Sequence, residues 1–465
     1  MIERRVAGER KRRAAGKKLR AAGLTLLLIG LVAGLFLAGC GGGTSTTYAV
    51  ASSAPPAVVL NPPEILSATS ARLSWSMSAS PKFYSYKLRR STFPGVTESS
   101  TLVATISDEA QTSRDISGLS SATTYYFKVY VCDSAGLCAG SAEVSVRTSE
   151  RLTALQTVDA NAEGEFQNGC FCRVFHRSST NRFVVTFSSG LAEDPYNAYK
   201  EYGADFGAPI ASGAFRTIFG GDYAAAMVAD YYYLLTGGPG GWLLIKYDSA
   251  WNEVASVSVP VDLPVEKNND QMLAYVNGLL VASSLHHDPD DPADFEGTHH
   301  RFYTTDLAYQ GKRILKDVRH VNGSSMLFAD GAYHLFSSES WHGQLLSLSY
   351  DSNWNFIGSR ELTSDGGRWP QGSLRVGDKY YVAYVTDAAN PPAGIKLAVL
   401  DSDWNLLETV RVFDDPDFLT ASDRPWLMHK DGVLYVSYDV ATFSDPGRVE
   451  NKDWTCHIKS YRINY

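Results

Sequence analysis

The hexamer YDSAWN at residues 247–252 returns as YDSNWN at 350–355 and as LDSDWN at 400–405. A strand-like run precedes each copy (WLLIKYD, LLSLSYD, IKLAVLD) and another follows it (EVASVSV, FIGSREL, LLETVRV), so each copy reads as a tight hairpin turn. A fainter copy, TTDLAYQG, occupies 304–311. Taken on Asp248, Asp306, Asp351 and Asp401, the spacings are 58, 45 and 50 residues. Self-similarity near that period constrains the chain to a repeat array, because each unit needs its neighbours to bury an apolar face.

Each unit also carries an earlier hairpin. MLAYV-NG-LLVASS, MLFA-DG-AYHLFSS, SLRV-GD-KYYVAYV and WLMHK-DG-VLYVSY place turn pairs of the two-residue type between apolar runs. AAAMV-AD-YYYLLTG fits less well, and CRVFHRSSTNRFVVTF has a longer turn. Six units of four strands predict a six-bladed β-propeller over 150–465. The last unit runs out of chain before a fourth strand, and RLTALQTVD (151–159) is a spare strand in front of the first. Supplying it to the last blade closes the ring and removes two exposed edges. The hexamer is then a structural stamp: its Asp accepts from turn N–H groups, and Trp251, Trp354 and Trp404 pack at blade edges.

The first 39 residues read as an export segment. Nine Lys/Arg and two Glu fall in residues 1–20, followed by an apolar run ending in Leu37-Ala38-Gly39-Cys40. These four residues resemble the lipobox of bacterial lipoproteins, which implies cleavage before Cys40 and a lipid on it, hence a membrane partner and a place in the cell envelope. An uncleaved transmembrane anchor is the alternative. Without this segment the net charge of −8 becomes −15, and so acidic a body argues against nucleic acid as a partner. Residues 40–56 are mostly Gly, Ser, Thr, Ala and Pro, with little to bury, and read as a flexible tether.

Residues 57–149 alternate with period two, as in ARLSWSM, with Leu73, Trp75 and Met77 on one face, and TYYFKVYVCD, with Tyr125, Phe127, Val129 and Val131 on another. Trp75 and the stretch Leu119-Ser-Ser-Ala-Thr-Thr-Tyr125 resemble the buried Trp and tyrosine corner of fibronectin type III domains, with Ser-Ala replacing the family's Pro-Gly pair. The expected fold class is all-β, a fibronectin type III β-sandwich plus a six-bladed β-propeller. Cys132 and Cys138 flank a turn and are expected to form a disulfide. Of the remaining cysteines, a Cys170–Cys456 bond is expected to staple the seam of the ring, with Cys172 as the alternative partner.

The long polar loops join second to third strands and mark one face as the functional one. Residues entering each first strand on that face are Arg173, Asp222, Asp270, Arg319, His320, Arg368, Trp369, Asp423, Arg424 and Trp426. Asp and Arg with Trp suit a sugar or another polar ligand. The layout resembles sialidase and furanosidase propellers, and CRVFHR and DRPWLMHKDG are faintly similar to arginine motifs of the sialidases. The Ser-x-Asp-x-Gly-x-Thr-Trp order of the sialidase Asp-box is absent, and no tyrosine nucleophile with a glutamate helper is placed. Asp222 and Asp270 are the candidate carboxylate pair for glycoside hydrolysis. The expected function is non-catalytic binding of a glycan or other extracellular ligand at the channel face. A glycoside hydrolase and a structural envelope protein are the alternatives. His286, His287, His299 and His300 bracket an acidic stretch read as a solvated loop rather than a metal site, and no cofactor is called for.

Overall fold

The computed structural model describes residues 53–160, 170–188, 197–215, 223–238, 241–260, 272–287, 295–315, 324–338, 344–363, 365, 367–386, 393–415, 420–443 and 452–464. Every regular element among them is a β-strand. The first part is a two-sheet sandwich. Glu64–Ser67, Ser70–Ser74 and Ser113–Ile116 form one sheet; Phe83–Ser91, Thr101–Ile106, Thr124–Asp133, Cys138–Gly140 and Val144–Arg147 form the other. Leu73, Trp75, Leu88, Phe127 and Val129 fill the space between them. The Tyr125 hydroxyl accepts from the Ser120 N–H at 2.9 Å, the corner bond expected of it. Cys132 and Cys138 stand opposite each other in register and are joined. Met77 departs from its expected place: the strand ends at Ser74, the alternation stops with it, and Met77 is exposed.

Among the described residues of the second part, twenty-four strands form six four-stranded antiparallel sheets. The first strands of the sheets are Cys170–Arg177, Tyr223–Val228, Met272–Val276, Ser325–Ala329, Gly367–Val376 and Thr420–Lys430. They touch one another in cyclic order, the sixth against the first, so they line the axis of a closed six-bladed propeller. Blade 6 takes its fourth strand from Leu152–Asp159, which pairs with Lys452–Ile463 from His457↔Asp159 to Ile463↔Leu152.

The repeated hexamer is a turn with a wedge. Asp248 N–H donates to the Asn252 carbonyl at 3.0 Å, and Trp251 N–H donates to the Asp248 carbonyl at 3.1 Å. One Asp248 carboxylate oxygen accepts from the N–H groups of Ala250 and Asn252, the other from the Asn252 amide. The bond from the Asn252 amide, first among its causes, holds Asp248 below the usual carboxylate range. Asp351 and Asp401 make the same bonds. This geometry forces the residue at the Trp position to positive φ: 65° at Trp251, 67° at Trp354 and 63° at Trp404. Such a backbone costs a bulky side chain about 1–2 kcal/mol, and packing offsets it. Each indole slides between its own blade and the preceding one. Trp251 stacks on Tyr199 of blade 1 at 4.0 Å; Trp354 lies against Phe302 of blade 3 and stacks on Tyr333 of blade 4; Trp404 lies against Phe336 of blade 4 and stacks on Tyr380 of blade 5.

The faint copy in blade 3 aligns two residues away from the expected place. Thr304, not Asp306, holds the Asp248 position: its N–H donates to the Ala308 carbonyl, and Leu307, with φ 62°, takes the wedge place. The spacings become 56, 47 and 50 residues. Blade 1 has an unforeseen fifth wedge, Phe206, with φ 49°, packed between Phe183 of its own blade and Tyr435 of blade 6.

Candidate functional site

The mouth of the channel at the blade 6–blade 1 seam is built from backbone irregularities. The pairing register of blade 1 slips between Cys170 and Arg173, that of blade 5 between Arg368 and Gly372, and that of blade 6 between Asp423 and Trp426. Each slip holds a non-glycine residue at positive φ: Phe171 (61°), Trp369 (49°) and Arg424 (48°). Bulges of this kind re-aim side chains and collect near functional sites. Gly372 is a place where only glycine fits, because a Cβ there would come within 2.7 Å of the Leu427 backbone nitrogen in the neighbouring inner strand.

The buried Asp439 carboxylate of blade 6 accepts from the N–H groups of Phe171 and Cys172, which the slip in blade 1 withdraws from their own ladder. Ser437 donates to the Cys172 carbonyl at 3.0 Å. The expected staple is corrected in its partner: the bond joins Cys172, not Cys170, to Cys456. The strand irregularity is the reason. Cys170 still pairs with Ser188 inside blade 1, whereas Cys172 lies in the stretch drawn to blade 6, in the buried cluster that contains Cys456.

On this frame Arg173 is buried in the channel wall with its guanidinium 4.8 Å from the Trp426 ring. Arg424 lies over Phe171 at 3.8 Å. Arg173, Arg424 and Trp426 are thus brought together around one seam. Trp369 is half-buried in the blade 5 bulge. Arg368 and Asp423 are strand residues whose side chains lie outside the described set, and Asp222, Asp270, Arg319, His320 and Cys40 lie outside the described residues altogether. Asp439 escaped sequence reasoning because a lone Asp within an apolar strand gives no signal of a backbone partner in another blade.

The histidine stretch is corrected as well. His286, His287, His299 and His300 are strand residues, paired His286↔Gly297, Ser284↔His299 and Ser283↔His300. His300 is fully buried, its Nδ1 2.6 Å from the Ser283 hydroxyl, and burial pushes its pKa down to about 3. Among the described residues no His, Cys, Asp or Glu cluster suits a metal.

No protein-family model and no curated protein matches the chain. Among solved structures it is similar to the phage phi92 endosialidase, at 9% identity over 70% of this chain and 71% of that one, with a TM-score of 0.46. A subtype N10 neuraminidase-like protein of A/little yellow-shouldered bat/Guatemala matches at 11% identity over 68% of this chain and 100% of its own, with a TM-score of 0.41. The sandwich region matches the sixth fibronectin type III domain of human fibronectin type III domain containing protein 3 at 30% identity over 21% of this chain and 90% of that one, with a TM-score of 0.18. The blade count and closure rest on this chain's own strand pairings.

Proposed function

We propose that this is an exported, lipid-anchored envelope protein whose sandwich, a fibronectin type III spacer, carries a propeller that binds a glycan at the channel mouth without turning it over. The observation that carries this reading is the set of register slips at the mouth, which collects Arg173, Arg424 and Trp426 at one seam. A guanidinium fork recognises carboxylate and hydroxyl oxygens, and an indole face packs on a pyranose ring. The test is a glycan array followed by incubation with labelled glycosides. Binding without turnover supports the reading. Turnover replaces it with a glycoside hydrolase of sialidase or furanosidase type, and silence in both leaves a structural envelope protein. The anchor has its own test: Cys40→Ala should abolish acylation and detergent-phase partitioning, and unchanged partitioning would refute the lipid site.

A further inference from the structure

A cavity of about 250 Å³ lies on the propeller axis, walled by residues of all six inner strands. Its lining is graded. Gln371 stands nearest the loop-bearing face; Arg173, Met272, Ser325 and Trp426 share the next level, Met326 and Ser373 the one below, then Met428, Ala226 and Ala274, and Met227 and Tyr275 lie toward the short-turn face. The chain has six methionines. Met1 and Met77 lie outside the propeller, and the other four, Met227, Met272, Met326 and Met428, all line this one cavity. They come from four different blades and four different strand levels, so no repeat explains their convergence. Thioether side chains are unbranched and polarisable, and they mould to apolar guests of varied shape. At the polar end Ser325 and Gln371 are more than nine-tenths buried, and the Ser325 hydroxyl and the Gln371 side-chain oxygen have no hydrogen-bond partner among the described residues. An acceptor left bare at that level asks for a donor from a guest.

We infer that the cavity receives the apolar part of an amphipathic glycoside: a sugar head whose hydroxyls meet Gln371 and Ser325, and an alkyl, acyl or aryl group that enters among the methionines. A cavity of roughly 150 Å³ takes a benzene ring, so this one accommodates roughly ten carbons. The inference rests on the glycan reading of the channel mouth and adds the second half of the ligand.

The test is a series of n-alkyl β-glycosides, methyl to dodecyl, titrated below their micelle concentrations into the full chain and followed by calorimetry. Affinity should rise about fourfold per methylene and level off near ten carbons. Ala226→Phe, which fills the lower cavity, should bring the plateau several carbons earlier while leaving methyl glycoside binding unchanged. Because that side chain is buried and the variant risks misfolding, Ala274→Leu, at a half-buried lining position, serves as the second variant. A methyl glycoside that binds with no chain-length dependence overturns the inference and leaves the glycan reading intact. n-Alkanols binding as tightly as the matching glycosides would overturn the sugar head in both.

Discussion

Five of the six blade boundaries are closed in one way, and the sixth is not. Phe206 wedges the 6–1 boundary, Trp251 the 1–2, Leu307 the 2–3, Trp354 the 3–4 and Trp404 the 4–5, each from the turn between the third and fourth strands of the following blade. The 5–6 boundary has no such turn, because the fourth strand of blade 6, Leu152–Asp159, does not follow its third strand in the chain. At that place the sandwich attaches instead. Ser121 donates to the Glu408 carboxylate of blade 5 at 3.0 Å, Arg151 approaches the same carboxylate at 3.8 Å, and Asn464 donates to the carbonyls of Glu150 and Arg151. Closing a ring with a borrowed strand removes a turn, and with the turn goes the wedge. Leu152 of the borrowed strand, with Tyr461 and Ile463, is buried against Val399 and Val412 of blade 5 there, and the sandwich adds the Ser121–Glu408 bond beside it.

The largest effect expected follows from the borrowed strand. Deleting residues 151–159 strips blade 6 of its edge partner and should cost the propeller more than about 5 kcal/mol, read as loss of its cooperative thermal transition. A deletion variant that melts like the parent would show that the ring does not depend on this strand.

At a wedged boundary, Trp354→Ala should cost about 3–5 kcal/mol. Trp354→Gly sharpens the point. Glycine relieves the positive φ that alanine keeps, so the Gly variant should be more stable than the Ala variant by about 1 kcal/mol, the reverse of their usual order within a strand. Denaturant midpoints of the two variants decide it: alanine above glycine would mean that the backbone at this position is unstrained.

This wedge shows what sequence can and cannot carry. Trp251, Trp354 and Trp404 were legible because the Asp-x-x-Trp-Asn pattern repeats letter for letter. Phe206 and Leu307 play the same part with different letters, since positive φ and an apolar body are all that the position requires. Hence the letters point to Asp306 as the turn residue, whereas the structure puts Thr304 there. Six blades, their hairpins and the closing strand were readable from period-two runs and turn pairs, which are local signals. The choice between Cys170 and Cys172 as the partner of Cys456, and the role of Asp439, were not, because a bulge shifts every side chain after it and leaves no mark in composition.

The 6–1 boundary has a smaller wedge, Phe206, and a covalent bond beside it. Cys172→Ser should therefore destabilise by about 3 kcal/mol, and Cys170→Ser by almost nothing. Equal effects at the two positions, or Cys456 recovered as a free thiol in non-reducing peptide maps, would refute the pairing.

The 3–4 and 4–5 boundaries add a pH dependence. His300 faces Trp354 at 5.6 Å with the Ser283 hydroxyl on Nδ1, and His334 faces Trp404 at 4.5 Å with the Ser349 hydroxyl on its own Nδ1; Asp330 is the nearby carboxylate of the second site. Burial lowers both pKa values in the fold, so below the unfolded value of 6.5 the unfolded chain binds the extra protons. The stability due to these rings is complete above that pH and is lost as pH falls. For His300, with its folded value of about 3, the loss between pH 7 and pH 5 is about 2 kcal/mol. His300→Gln should flatten that slope in pH-dependent denaturation, and an unchanged slope would assign it to other groups.

The smallest effect belongs to the boundary that lacks a wedge. Glu408 joins blade 5 to the sandwich, and its side chain and that of Arg151 are both about four-fifths buried, with 19% and 15% exposure. Glu408→Gln keeps the shape and an acceptor for Ser121 while removing the charge that faces Arg151. A partly screened pair 3.8 Å apart should change stability by no more than about 1 kcal/mol. Its consequence should lie in geometry rather than in ΔG. With the tie weakened, the sandwich should swing relative to the propeller, broadening a spin-label distance distribution between Ser99 and Ser359 while the thermal midpoint hardly moves. If the distribution stays narrow, the Asn464 bonds to Glu150 and Arg151 alone fix the joint. The Ser121–Glu408 bond would then add nothing to the orientation of the sandwich.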